Sequence, residues 1–113
     1  MILRKLGDNM KRFIIYSQLK PEKIEDYVNL HKEPWPELLE LLSDCNIQNY
    51  SISIRKDELY TYYEYVGKDY DADMEKMNGS EVMQKWWTFS KPCFLYHEQG
   101  KYYEDLTEIF YMK

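Results

Sequence analysis

Tyr27 and His31 stand four positions apart in "YVNLH". On a helix that spacing sets both side chains on one face, with Cβ atoms about 5–6 Å apart. A histidine in the last turn of a helix meets the negative end of the helix dipole, which favours the imidazolium. A ring that titrates near neutrality can deliver a proton and take one back. The chain then breaks: "HKEPWP" carries Pro34 and Pro36, and each disfavours helical backbone at the residue before it. A helix-end histidine that only faces water has the same signature, so the pair by itself leaves both readings open.

The Trp86-Trp87 pair is a second candidate. Neighbours on a helix diverge by about 100°, so two indoles cannot both fill one core position. One suits the core and the other the wall of a cavity. Aromatic rings fit the C–H faces of a sugar, and indole N–H groups donate hydrogen bonds. Two large core residues in a small domain is the competing reading. Tyr50 is the third candidate. It alternates with Ile52 and Ile54 and shares their strand face, opposite Asn49, Ser51 and Ser53, so its phenol is either buried or turned to a cavity. Glu64 lies among Tyr60, Tyr62 and Val66 on a strand. It is either a carboxylate pointing into an interior or an edge residue in water.

Several chemistries lack their residues. The 4 glycines are scattered, with no phosphate-binding loop. There is no G-x-S-x-G elbow and no paired-histidine metal motif. Cys45 and Cys93 are far apart and belong to no CxxC or Cys/His cluster, so a zinc site has no support. What remains is acid–base work that needs no cofactor and no metal, or binding.

The elements that must position these residues follow from the pattern. "KRFIIYSQL" (11–19) reads as a strand. Pro21 opens a helix whose face carries Ile24, Tyr27, Val28 and His31 and which ends near residue 32. Pro36 starts a second helix, through about residue 44, with Leu38, Leu39, Leu41 and Leu42 as its apolar face. Strands at 47–55 and 59–67 form a hairpin around the turn 56–58. Residues 71–89 are helical but broken at Asn78-Gly79, with Ser80 as N-cap of the second piece. The stretch 91–105 reads as irregular, and 106–113 as the last strand. The order β-α-β-β-α-β is the ferredoxin-like arrangement, an α+β class with helices on one face of an antiparallel sheet. The strands carry apolar or aromatic residues on both sides, so the other face needs a cover. A second copy of the domain is the simplest one, which makes the expected assembly a homodimer.

Bulk properties agree with a single domain at residues 10–113. Met10 opens "MKRFIIYSQL", and residues 1–9 read as an extension outside the fold. The net charge is −5, from 20 acidic and 15 basic residues, and no basic stripe suggests nucleic acid. The first residues lack a signal-peptide core and no run reaches transmembrane length, so no membrane is expected. With two thiols that need no partner, the expected location is cytoplasmic.

Together, "YVNLHKEPWPELLELL", "CNIQNYSI", "EYVGKDYDADMEKM", "QKWW" and "EIFYMK" resemble the L-rhamnose mutarotase family. The resemblance runs from about Met10 to the C-terminus. It implies a dimeric α+β barrel that interconverts the α and β anomers of L-rhamnopyranose without a cofactor. It also implies His31 as proton donor, and Tyr27, Tyr50, Trp86 and Trp87 as substrate-binding residues. Trp35 is expected to close the pocket wall. Residues 1–9 have no family counterpart, "KEP" is a variable stretch, and the 91–105 loop, a candidate for the pocket rim, is loosely defined, which leaves the sugar open: L-rhamnose, or another 6-deoxy sugar such as L-fucose. A cofactor-free monooxygenase and a haem- or ligand-binding protein of the same fold, with His31 as ligand, are the other readings.

Overall fold

The computed structural model describes residues 10–97 and 100–113, so the extension at residues 1–9 lies outside the described residues. Four strands form one antiparallel sheet: β1 (Lys11–Gln18), β2 (Ile47–Arg55), β3 (Glu58–Tyr65) and β4 (Tyr103–Leu106). Their order across the sheet is β2-β3-β1-β4. Four α-helices lie on one face: α1 (Ile24–Leu30), α2 (Pro36–Asp44), α3 (Tyr70–Asn78) and α4 (Glu81–Ser90). This is the ferredoxin-like α+β fold read from the element order.

Local chemistry sets the joints. Pro21 opens a single 3-10 turn, Pro21–Lys23, ahead of α1. Trp35, held extended before Pro36 (φ −67°, ψ 131°), separates α1 from α2. Asp69 accepts a hydrogen bond from the Ala72 amide at 3.1 Å and caps α3. Ser80 accepts from Val82 at 3.2 Å and caps α4, so the helical stretch breaks at the Asn78-Gly79 step as its residues suggest.

Register assigns the faces. Lys11 pairs with Tyr65, Phe13 with Tyr63, Ile15 with Thr61 and Ser17 with Leu59, and all of these turn toward the helices. Arg12, Ile14 and Tyr16, opposite Glu64, Tyr62 and Tyr60, face the other way. The interior forms two buried clusters. One gathers Leu19, Tyr27, Leu59, Cys93 and Phe94. The other gathers Leu38, Met83 and Trp86, with Leu30, Trp35, Leu41, Leu42 and Trp87 packed against it. Burying a leucine such as Leu19 or Leu59 contributes about 1.5–3 kcal/mol.

One expectation is overturned. The last strand is Tyr103–Leu106, which lies in the stretch read as irregular except for Leu106, and the described chain after Leu106 has no strand. Among the described residues β4 pairs only with Ile14–Ser17 of β1. Beyond that point side chains replace the ladder: Glu108 accepts two hydrogen bonds from Arg12, at 2.7 and 2.9 Å, and the Arg12 guanidinium lies 3.4 Å from the Tyr111 ring centroid. The β-forming composition of "EIFYMK" finds no ladder partner among the described residues. Ile109, Phe110 and Met112 are left 95%, 77% and 79% exposed.

α3 is tied to the sheet by Asp73, which accepts from the Tyr65 hydroxyl at 2.5 Å and from Asn46 at 2.9 Å. These donors, the Tyr65 hydroxyl first, hold the Asp73 carboxyl below its ordinary value. A carboxyl depressed in the folded state stabilises the fold above its unfolded pKa, and that contribution is lost as pH falls through the folded one. The urea midpoint should therefore fall as pH is lowered from about 5 to about 2. Asp73→Asn, which accepts from Tyr65 without titrating, should flatten that limb. An unchanged slope would remove Asp73 from the acid response.

Candidate active site

His31 is the C-cap of α1, and its amide donates to the Val28 carbonyl at 3.1 Å. Its ring lies between the two buried clusters. The centroid is 4.4 Å from that of Tyr27, in the first cluster, and 5.3 Å edge-on from that of Trp86, in the second. Nδ1 sits 2.8 Å from the Tyr27 carbonyl oxygen. A carbonyl oxygen only accepts, so Nδ1 carries a hydrogen and donates it. In the neutral ring Nε2 is then the basic nitrogen, and in the imidazolium Nε2 carries the proton that can leave.

Tyr50 reaches the same region from β2. A register shift between Gln48 and Ser51 inserts a bulge, with Asn49 at φ 49°. Tyr50 comes out on the helix face with Ile52 and Ile54, as alternation suggests. Its ring stacks on Tyr63 at 5.7 Å, and Tyr63 in turn stacks on Phe13 at 4.9 Å. The Tyr63 and Tyr70 hydroxyls are 2.9 Å apart. Tyr50 is 47% exposed as a residue, but its hydroxyl end is crowded by protein: burial, with Tyr102 nearby, pushes the phenol up to about 12. Burial also raises Tyr27 well above the phenol range, with the neighbouring Tyr50 and Tyr102 adding to it. Both are neutral hydroxyls at physiological pH, able to donate to a sugar oxygen.

The two tryptophans divide. Trp86 is buried and meets His31 and Trp35 edge-on, at 5.3 and 5.1 Å. Trp87 is half-buried, with the Lys91 ammonium 3.8 Å above its ring centroid. Among the described residues no ring-to-ring contact joins Trp87 to His31, Tyr27 or Tyr50. Trp35 packs on Trp86 and Phe89, so it backs the Trp86 ring. Glu64 lies on the face away from the helices. It accepts from Tyr62 at 2.6 Å, Asn49 at 2.7 Å and Gln48 at 3.0 Å, and these donors hold its carboxyl below the ordinary value.

The structure therefore brings His31, Tyr27 and Trp86 into contact, places Tyr50 near enough to Tyr27 to raise its phenol, and leaves Trp87 next to Trp86 on α4 without a ring contact to the others. Sequence reading passed over Tyr63 and Tyr102. Tyr63 was legible as the helix-facing partner of Tyr65 by alternation along β3. Tyr102, whose ring packs on Phe94 at 4.5 Å, sits in a segment with no periodic signal. Among the described residues no group of histidine, cysteine and carboxylate side chains is arranged to hold a metal ion. No described helix is long and apolar enough to cross a membrane. Cys45 and Cys93 are both buried, unpaired thiols.

Fold and side-chain packing define a ferredoxin-like α+β protein in which His31 meets the rings of Tyr27 and Trp86. Residues 12–112 match the family model described as L-rhamnose mutarotase, and the chain belongs to that family of anomer-interconverting enzymes. It is 33% identical over 106 residues to the L-rhamnose mutarotase of Oceanobacillus iheyensis, covering 91% of this chain and 99% of the relative. Among solved structures it resembles an L-rhamnose mutarotase from Formosa agariphila, with a TM-score of 0.71 at 26% identity over 91% of this chain and 99% of that one. It also shares its fold with a dimeric ferredoxin-like protein from an uncultured marine organism, with a TM-score of 0.54 at 13% identity over 98% and 99% of the two chains. The family assignment does not favour the monooxygenase and haem-binding readings.

The His31 tautomer is directly measurable. Nitrogen-15 NMR of the neutral ring at alkaline pH should show Nδ1 protonated and Nε2 bare. A dominant Nε2–H tautomer would contradict the hydrogen bond to Tyr27.

Proposed function

We propose that this chain interconverts the α and β anomers of L-rhamnopyranose by opening and reclosing the sugar ring, with His31 as proton donor. The observation that carries the assignment of His31 is its fixed ring. Nδ1 is committed to the Tyr27 carbonyl, so Nε2 alone is left to exchange a proton. Opening a pyranose hemiacetal takes a proton onto the ring oxygen while the anomeric hydroxyl loses one. The C1–O5 bond breaks, and the C1–O1 bond becomes a carbonyl. Rotation about C1–C2 and reclosure on the other face of the aldehyde reverse both proton transfers and give the other anomer. No electrons are exchanged, so no redox cofactor is called for. Tyr27, a neutral hydroxyl, or a held water takes the second proton and passes its own on to solvent, and reclosure runs the transfer in reverse. Tyr50, Trp86 and Trp87 are assigned to the sugar: the phenol as a hydrogen-bond donor, the indoles as an apolar wall suited to C–H faces and a C6 methyl.

The slow reaction in water already gives the same products, so general acid–base catalysis of about 10²–10⁴-fold is the scale asked of the site. His31→Ala should lose about that factor in anomer exchange, read as saturation transfer between the α- and β-rhamnose NMR signals. Circular dichroism should be unchanged. Exchange that persists near the wild-type rate in a folded variant would remove His31 from the chemistry.

The working form is inferred to be a homodimer. Ile14, Tyr60 and Leu106 are exposed on the sheet face away from the helices, and Ile109, Phe110 and Met112 continue that apolar surface into the C-terminal segment. A second copy covers such a face. Light scattering of dilute protein near neutral pH should give twice the chain mass, and a monomer at micromolar concentration would overturn the assembly. The two unpaired buried thiols fit a reducing, cytoplasmic setting, and residues 1–9 are assigned to an extension outside the catalytic domain.

A further inference from the structure

β4 carries a carboxylate on the wrong side for an ordinary edge strand. Tyr16 pairs with Glu104 and faces away from the helices, so Glu104 does too. Asp105 pairs with Ile15, and Ile15 with Thr61, both on the helix face. Thr61 pairs with Ile52, so Asp105, Ile15, Thr61 and Ile52 form one row across the sheet under the helix layer. The next row holds Phe13, Tyr63 and the bulged Tyr50. A buried carboxylate without a partner would be costly. Asp105 makes no hydrogen bond or ion pair among the described side chains, and it is exposed. The helix layer therefore leaves Asp105 uncovered. Ile15, Thr61 and Tyr63 in the middle of the sheet are only half-buried, and Tyr50 on the opposite edge strand is about half uncovered. The Asp105 charge is felt at Tyr63, where it adds to the rise in the phenol that burial and the Tyr70 hydroxyl produce.

The Asp105 row lies beside the row of Tyr50 and Tyr63, and its Ile52 packs against the buried cluster that holds Tyr27. Tyr50 lies near enough to Tyr27 and to Tyr63 to add to the rise in each phenol. We propose that Asp105 is a substrate-binding residue, whose carboxylate accepts hydrogen bonds from neighbouring hydroxyls of the sugar at the end of the pocket remote from His31. The proposal rests on the mutarotase reading of the site and deepens it. A pyranose offers adjacent hydroxyls as donors, and a carboxylate offers two oxygens with no hydrogen of its own, so one group can take two charge-assisted bonds. His31 then stands at the anomeric end, and Asp105 fixes which hydroxyls lie at the other. That contact belongs to ground state and transition state alike, so its loss weakens binding and leaves turnover nearly intact.

An inward-pointing charge on an edge strand also discourages edge-to-edge pairing of sheets. That role predicts no effect on sugar affinity, and the experiment separates the two. L-rhamnose affinity is measured by calorimetry, and anomer exchange by NMR over a concentration series, for the wild type, Asp105→Asn, Asp105→Ala and the opposite-face control Glu104→Gln. Circular dichroism monitors the fold of each. Asp105→Asn and Asp105→Ala should weaken binding and raise KM by about tenfold or more, with kcat within about threefold of wild type and Glu104→Gln unchanged. Wild-type affinity in both folded Asp105 variants would overturn the proposal and leave the edge-strand role. A fall in kcat with affinity unchanged would also overturn it. A wild-type protein that neither binds nor exchanges rhamnose would overturn the mutarotase reading itself, and this proposal with it.

Discussion

The bulge between Gln48 and Ser51 is the constraint on which the rest of the site depends. Side chains on a strand alternate, so Ile47 and Tyr50 would fall on opposite faces of an unbroken β2. Both are needed on the same one. Ile47 is buried opposite Tyr65, and Tyr50 must reach the helix side to stack on Tyr63 and approach Tyr27. One extra residue reconciles the two. Glu64 braces it from the other face, taking hydrogen bonds from the Gln48 and Asn49 side chains while the Tyr62 hydroxyl holds its far oxygen. A carboxylate that looks like a catalytic candidate in the sequence is thus committed to the backbone geometry that delivers a phenol to the pocket.

The second organising feature is the placement of His31 between two separately packed clusters. Tyr27 belongs to the group that joins α1 to the sheet, and Trp86 to the group that joins α2 and α4. The imidazole touches both rings and donates to the Tyr27 carbonyl, so its orientation is set on three sides. A group held in advance loses little freedom when substrate arrives, which is the main contribution a protein makes to a proton transfer of modest difficulty. The prolines at 34 and 36 belong to the same arrangement. They stop α1 at the histidine and turn the chain so that Trp35 backs Trp86.

The two faces of the sheet are built for different neighbours. The helix side holds the aromatic floor of Phe13, Tyr63 and Tyr50. The opposite side holds Tyr16, Tyr60 and Tyr62 beside hydrogen-bonded carboxylates, and the C-terminal segment is clipped there by Arg12. Tyrosine suits both, since its ring packs while its hydroxyl stays paired. That is why a chain with 12 tyrosines can be aromatic on two faces at once.

Much of the architecture was legible in the order of residues because it depends on near neighbours. The i,i+4 step joins Tyr27 to His31. Proline restricts the residues before it and so separates α1 from α2. Serine caps α4, and alternation set Tyr50, Ile52 and Ile54 on one face. The family motifs, which run nearly the length of the chain, supplied the chemistry. What the order of residues could not decide was anything resting on a partner distant in the chain. Whether "EIFYMK" or the stretch before it would be the last strand depended on where β1 had a free edge to offer, and on Arg12 capturing Glu108 and Tyr111 instead of extending the ladder. The bulge that sets Ile47 beside Tyr50, the commitment of Glu64 to it, and the inward turn of Asp105 follow from register between strands. Register is a property of the folded sheet, because a one-residue slip reverses every side chain and only long-range packing selects between the alternatives.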